Sequence, residues 1–273
     1  MQAVLSRCFQ VLQALREHLA MVIGLSLLAL LCLSWSPVAL VLHRLLPRRW
    51  GQPLGRWVAM RSFRLYLGAL ELLCGCRFDL SALDELPRQG PMIIVANHPS
   101  LLDALLLISR LPDAVCIMKA SLMDNPMFGA AARLANYIRN LNLLHVILHA
   151  RHALDEGAQV VIFPEGTRTS RFPVDRLLPS IGLIAKRAQA PVQTVLIHYS
   201  TPYLGKAWPL WRPPALPLRV SVRLGERFDP PSDPAAFTEA LQRHFDQALS
   251  GQGSARGQNP PPCPKPPAPP TSS

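Results

Sequence analysis

His98 and Asp103 stand five residues apart in "IIVANHPSLLDALLL", where an aliphatic run breaks and then resumes. A histidine with one ring nitrogen held by a carboxylate keeps the other free to act as a general base. On a regular helix, residues i and i+5 diverge by about 140° and do not share a face. The two can therefore meet only if His98 precedes the helix, at a strand-to-helix turn, with Asp103 in an early turn. Pro99 favours that break by disfavouring helix at the residue before it. Taken alone, the stretch also suits a capping turn with a histidine of no chemical role.

A second constellation lies in "VVIFPEGTRTS", residues 160–170. Here an apolar strand pattern runs directly into Glu165, Gly166, Thr167 and Arg168. Gly166 would let a backbone approach a ligand closely. Arg168 could grip a phosphate through its planar fork. Glu165 would then either orient Arg168 or bind a ligand hydroxyl; a polar surface turn is the plainer alternative.

The elements that must position these groups alternate in type. "PMIIVAN", "AVCIMK", "AQVVIF", "PVQTVLIHYS" and "LRVSVRL" read as strands. Between them, "PSLLDALLLISRL", "FGAAARLANYI" and "SIGLIAKRAQA" read as helices, with Pro99 at an allowed first-turn position. "LLHVILHARHALDEG" starts as strand or helix and ends as helix at Gly157. Such alternation predicts an α/β fold with a mixed, largely parallel sheet and helices on both faces. The strands are continuous apolar runs, as expected where both faces are covered. Both candidate constellations follow strands, so both are expected at one edge of the sheet, where α/β ligands usually bind.

Three segments follow from this patterning: 1–75 as N-terminal membrane-anchoring helices, 76–249 as the catalytic domain, and 250–273 as a disordered Pro-rich tail. Residues 19–42 carry no charge, and about 20 apolar residues are enough to cross a bilayer. Pro37 could end or kink a helix near Ser36. A spanning helix, a re-entrant hairpin and a buried helix all fit the run, with membrane contact favoured over burial. Seven arginines against one glutamate follow over residues 44–77, interleaved with Trp50, Trp57, Phe63 and Tyr66. That mixture suits an interfacial helix on anionic lipid, and the positive-inside bias places the domain after it on the cytoplasmic side of the inner membrane.

Net charge is +11, while charged residues make up only 16% of the chain. The excess favours an anionic partner, and nucleic acid is not expected because no reader motif accompanies the charge. The six cysteines show no metal-site spacing, and Cys32 and Cys116 sit in apolar runs as buried thiols. A reducing compartment follows, with no metal expected.

In that order and at that separation, "NHPSLLD" and "FPEGTRT" resemble the paired motifs of the PlsC-like 1-acylglycerol-3-phosphate (lysophospholipid) acyltransferase family, H-x-x-x-x-D and F-P-E-G-[TS]-R. The resemblance implies transfer of an acyl chain from a thioester to the hydroxyl of a lysophosphatidate-like acceptor. It implies His98 as general base, Asp103 as its orienting carboxylate, and Glu165, Gly166, Thr167 and Arg168 as acceptor-binding residues. Direct attack needs no nucleophile elbow, and none is present. No cofactor is implied beyond the co-substrate, an acyl carrier protein or coenzyme A thioester. The family's second motif, F-I-x-R, has "YIRN" as its counterpart, with Asn140 at the arginine place and Arg139 one earlier. "APVQTV" retains Pro191 of the fourth motif and puts Thr194 at its second proline. "CIMKASLMDNP" and "YLGKAWPLWRPP" resemble a bacterial subgroup encoded beside polyene or fatty-acid-synthase-like clusters, which implies a carrier-protein donor. A thioesterase using the same pair on water, and a non-catalytic lipid- or carrier-binding membrane protein, remain alternatives from other classes.

Overall fold

The computed structural model describes residues 2–253. Two long helices come first, α1 (Gln2–Leu45) and α2 (Arg48–Cys74), with Pro37 inside α1 and no break there. Gly75 caps α2 in the left-handed conformation, its N–H on Leu70 O, and the chain enters β1 (Arg77–Asp79). A 3-10 segment (Ser81–Gln89) leads to β2 (Ile93–Ala96) and α3 (Asp103–Ile108). Then follow β3 (Ala114–Lys119), α4 (Ala120–Met123), α5 (Gly129–Leu134), β4 (Ile138–Asn140) and α6 (Leu143–Asp155). The chain continues through β5 (Gln159–Ile162), α7 (Ser180–Ala188), β6 (Val192–Tyr199), β7 (Arg219–Phe228) and α8 (Pro234–Gly253). The segment expected as a tail from 250 overlaps the end of α8, and the rest of it lies outside the described residues.

The seven strands form one sheet in the order β1-β7-β6-β2-β5-β3-β4, parallel except where β6 meets β7. The expected α/β fold is therefore present. Side chains alternate across each strand, so two cores form. Ile94, Ala96, Val161 and Ile197 pack on the side of α2 and α3. Ile93, Val95, Ile162 and Leu196 pack on the side of α6, α7 and α8. All four β2 residues are buried, which explains the unbroken apolar run.

Helix α3 begins at Asp103, four residues later than the first turn expected at Pro99. Two hydrogen bonds delay it. Asp103 Oδ2 accepts the Ser100 N–H at 2.8 Å, and Ser100 Oγ accepts the Leu102 N–H at 3.2 Å. The local side-chain bonds hold a turn where helix would otherwise start.

The basic segment does not face one way. Trp50 and Trp57 are exposed, with the Arg49 and Arg61 guanidinium groups 5.9 Å from their ring centres. Tyr66 and Arg56 are buried instead. Arg56 Nη1 donates to Asp113 Oδ1 at 2.7 Å and Nε to Ala135 O at 3.0 Å, fastening α2 to the domain. At Gly55 an added Cβ would stand 2.9 Å from Ala135 N, so the glycine permits this close approach.

Helix α1 is hydrogen-bonded to the domain just before its uncharged run and again within it. Glu17 Oε1 accepts the Leu216 N–H at 3.1 Å, and Ser36 Oγ donates to Met127 O at 2.7 Å. The two contacts are nineteen positions apart along the helix, about 28 Å. The helix lies along the domain, and its apolar window is only 11% buried.

Candidate active site

Parallel pairing decides where the two constellations meet. Val95 of β2 is in register with Ile162 of β5, so both strands end together at one sheet edge. His98 follows β2 by two residues, and Phe163 and Glu165 follow β5. Asn97 fixes the exit of β2: its Nδ2 donates to Ile197 O at 2.9 Å, and its Oδ1 accepts the Ile197 N–H at 2.8 Å. A side-chain amide thus continues the pairing of β2 with β6 by one residue beyond the strand.

His98 Nδ1 lies 2.8 Å from Asp103 Oδ2. With the proton on Nδ1, the ring donates to the carboxylate and Nε2 keeps its lone pair. The imidazole stacks on Phe163 at 4.1 Å between ring centres and is 17% exposed, so a substrate hydroxyl has a way to it. Asp103 is wholly buried. Burial raises its carboxyl pKa, opposed by the bonds from His98, Ser100 and Tyr199. Tyr199 Oη donates to Asp103 Oδ1 at 2.7 Å, while burial and the Asp103 charge push the phenol well above its ordinary range. The carboxylate therefore has a donor on every side from which it could rotate.

The Glu165 carboxylate is turned toward the backbone around His98. Its Oε1 accepts the His98 N–H at 2.8 Å and the Thr169 hydroxyl at 2.9 Å, and its Oε2 accepts the Asp175 N–H at 2.9 Å. Burial raises its pKa, and the donated bonds oppose that shift. Thr169 N–H in turn donates to His98 O at 2.7 Å. The peptide groups on both sides of His98 are thus held by residues four apart in the second constellation. The conformation between them depends on Gly166, whose φ is +69° and whose added Cβ would meet Leu178 at 2.6 Å.

Arg168 is also committed in part. Its Nη1 donates at 2.8 Å to both Leu204 O and Gly205 O, tying the β6–β7 loop to the site. Nη2 and Nε remain for other partners. Thr167 is exposed beside it. Arg139 and Asn140 are not brought against His98. They lie on β4, opposite Met118 and Lys119 of β3, and β5 and β3 intervene between β4 and β2. At about 4.8 Å per strand, β4 stands about 14 Å from β2 along the same edge. Arg139 Nη2 pairs with Asp124, and Asn140 is exposed.

Sequence reasoning missed three residues of this edge. Tyr199 is 96 positions from its partner and carries no local signal. Phe163 stood inside a quoted motif, but its stacking on His98 could not be foreseen. Lys119, exposed at the end of β3 between β5 and β4, was quoted without a role. Thr194 sits in the β6 interior, where its Oγ1 donates to Glu226 O at 2.7 Å and lies 3.0 Å from His244 Nε2.

Residues 77–198 match the family model described as "Acyltransferase", a span that contains both constellations and ends one residue before Tyr199. The lysophosphatidylcholine acyltransferase of Drosophila melanogaster is 28% identical over 132 residues, 44% of this chain and 23% of that protein. The 1-acyl-sn-glycerol-3-phosphate acyltransferase of Pseudomonas aeruginosa is 24% identical over 216 residues, 77% of this chain and 80% of that protein. This chain thus spans under a quarter of the first relative's length and most of the second's. The crystal structure of the 1-acyl-sn-glycerophosphate acyltransferase from Thermotoga maritima shares the fold, with a TM-score of 0.67 at 19% identity over 90% of this chain and 100% of that one.

Proposed function

We propose that this chain is an acyltransferase of the PlsC-like kind, which transfers an acyl chain from a thioester to the hydroxyl of a lysophosphatidate-like acceptor; the family-model match over residues 77–198 and the acyltransferase relatives support this reading. The observation that carries this is the His98 ring, fixed through Nδ1 on buried Asp103 with Nε2 left as the base. The acceptor oxygen attacks the thioester carbonyl while its proton passes to Nε2, and the new C–O bond forms. Asp103 holds the resulting imidazolium in place. Collapse of the tetrahedral intermediate breaks the C–S bond, and the imidazolium returns its proton to the departing thiolate. Donor thiols of the acyl carrier protein and coenzyme A kind both fit this chemistry.

An anionic head group finds cations along the same edge: Lys119 at the end of β3, Arg139 on β4 and the remaining N–H groups of Arg168. Thr167 and Asn140 add exposed polar groups beside them. The site also works next to a bilayer. The uncharged run of α1 is exposed along one side while its other side packs on the domain, which favours a helix lying in one leaflet over one leaving the domain to cross it. Exposed Trp50 and Trp57, each flanked by an arginine, suit a lipid headgroup layer on the cytoplasmic side of the inner membrane.

The test is to incubate the purified full-length chain with an acyl thioester, with and without lysophosphatidate. Ester product that requires the acceptor is expected. Free acid alone would make the protein a hydrolase, and neither product would leave it a binding protein.

A further inference from the structure

The loop between β6 and β7 carries a side-chain arrangement that the reaction does not use. Trp211 is 76% exposed and Leu210 50% exposed at its tip. Neither is placed there by slack. The Arg212 guanidinium lies 4.3 Å from the Trp208 ring centre, and Trp208 Nε1 donates to Arg212 O at 2.9 Å, closing a small turn around the tip. Trp208 packs edge-on against Tyr203 at 6.0 Å. The base of the loop is tied to the catalytic edge by Arg168, and by the Leu101 N–H on Leu204 O at 3.1 Å. Its far end is tied to α1 through Leu216 N–H and Glu17. A rigid support therefore presents a tryptophan and a leucine to solvent, which costs stability in water and gains only if something apolar covers them.

The identity of that cover follows from what lies beside the loop. Tyr203, Trp208 and Leu216 pack against the same core as Ile23 and Leu27 of α1, and the Leu216 bond to Glu17 sets the end of the loop beside this helix. Glu17 lies two residues before the uncharged stretch of α1, at the level where a helix lying in lipid would meet the headgroups. Exposed Arg212 borders the tip and exposed Lys206 lies earlier in the same loop, a distribution of apolar ring and cation that suits anionic headgroups.

We propose that Leu210 and Trp211 enter the lipid interface beside α1, as a second membrane contact that holds the catalytic edge at the bilayer surface. The inference rests on the membrane association proposed above. Leu204 and Gly205, which Arg168 grips, belong to this loop, so the contact is coupled to the position of the second constellation.

The test uses full-length protein with Cys8→Ser and Cys263→Ser, labelled with an environment-sensitive fluorophore at Leu210→Cys or, separately, at Leu30→Cys of α1. The probe is vesicles of phosphatidylcholine and phosphatidylglycerol containing nitroxide-bearing lipid. Quenching at both positions is expected, and Trp211→Ser in the otherwise native chain should weaken vesicle partitioning about tenfold. Quenching at position 30 without quenching at position 210 overturns the inference and leaves the membrane association standing. Quenching at neither removes both. A label at 210 that responds to acyl carrier protein or to rising protein concentration, yet stays unquenched by vesicles, assigns the tip to those partners and also overturns it.

Discussion

Tyr199 donates its hydroxyl to Oδ1 of Asp103 at 2.7 Å, on the oxygen opposite the one that His98 occupies. Asp103 opens α3, which follows β2, and Tyr199 ends β6; β2 and β6 are neighbours in the sheet, so the bond spans the edge that carries His98. It fixes the carboxylate from behind and favours its ionised form.

Tyr199→Phe should therefore lower kcat/KM by about tenfold, the worth of one hydrogen bond to a charged group. The sign of the pH effect follows from the same bond. Losing it raises the Asp103 pKa further, so the carboxylate is protonated earlier as pH falls. The acid limb of the kcat/KM profile should move to higher pH. A uniform loss with an unmoved limb would make Tyr199 a packing residue only.

Glu165→Gln should damage both stability and turnover. The amide keeps one acceptor oxygen where the carboxylate serves three donors from His98, Thr169 and Asp175. An unfolding free energy lower by about 1–3 kcal/mol is expected from the unsatisfied groups. The activity loss should fall mainly on kcat, because the displaced group is the His98 backbone. A rise in acceptor KM alone, at unchanged stability, would return Glu165 to a ligand-binding role.

Arg168→Lys separates scaffold from grip. A lysine has a single donor nitrogen on a differently shaped stem, so it cannot both hold the two carbonyls from the Nη1 position and offer the Nη2 and Nε donors to an acceptor. The expected outcome is a lowered Tm together with a raised acceptor KM. A raised KM at unchanged Tm would mean that the loop tie contributes nothing and that the side chain serves the acceptor only. Unchanged acceptor kinetics would show that the head group binds elsewhere.

Arg56→Ala should loosen α2 from the domain. The guanidinium is 3% exposed while Asp113 is 47% exposed, so solvent screens part of the ion pair. Losing it together with the bond to Ala135 O should cost about 2 kcal/mol in denaturant titrations. An unchanged midpoint would place the docking of α2 in its apolar contacts alone.

The sheet was legible in the sequence wherever a strand carries several apolar residues toward the core. β2, β3, β5, β6 and β7 each follow an apolar run, whereas β1 and β4 are three-residue edge strands with half-exposed patterns and no such signal. The start of α3 was misplaced because Ser100 and Asp103 spend their side chains on local backbone bonds. Arg56 looked interfacial among its neighbours because composition does not say which face of a helix turns inward. His98 and Asp103 were legible because their spacing forbids one arrangement and permits another. Tyr199 and the clamp from Thr169 were not, since only strand adjacency brings them to the site.

Transfer by this mechanism requires His98 as the base. The direct measurement is single-turnover transfer from an acyl thioester to lysophosphatidate by His98→Ala, with folding verified by an unchanged denaturation midpoint. Loss of about two to four orders of magnitude in rate is predicted, with acceptor binding retained. A well-folded His98→Ala protein that transfers at near-native rate would contradict it.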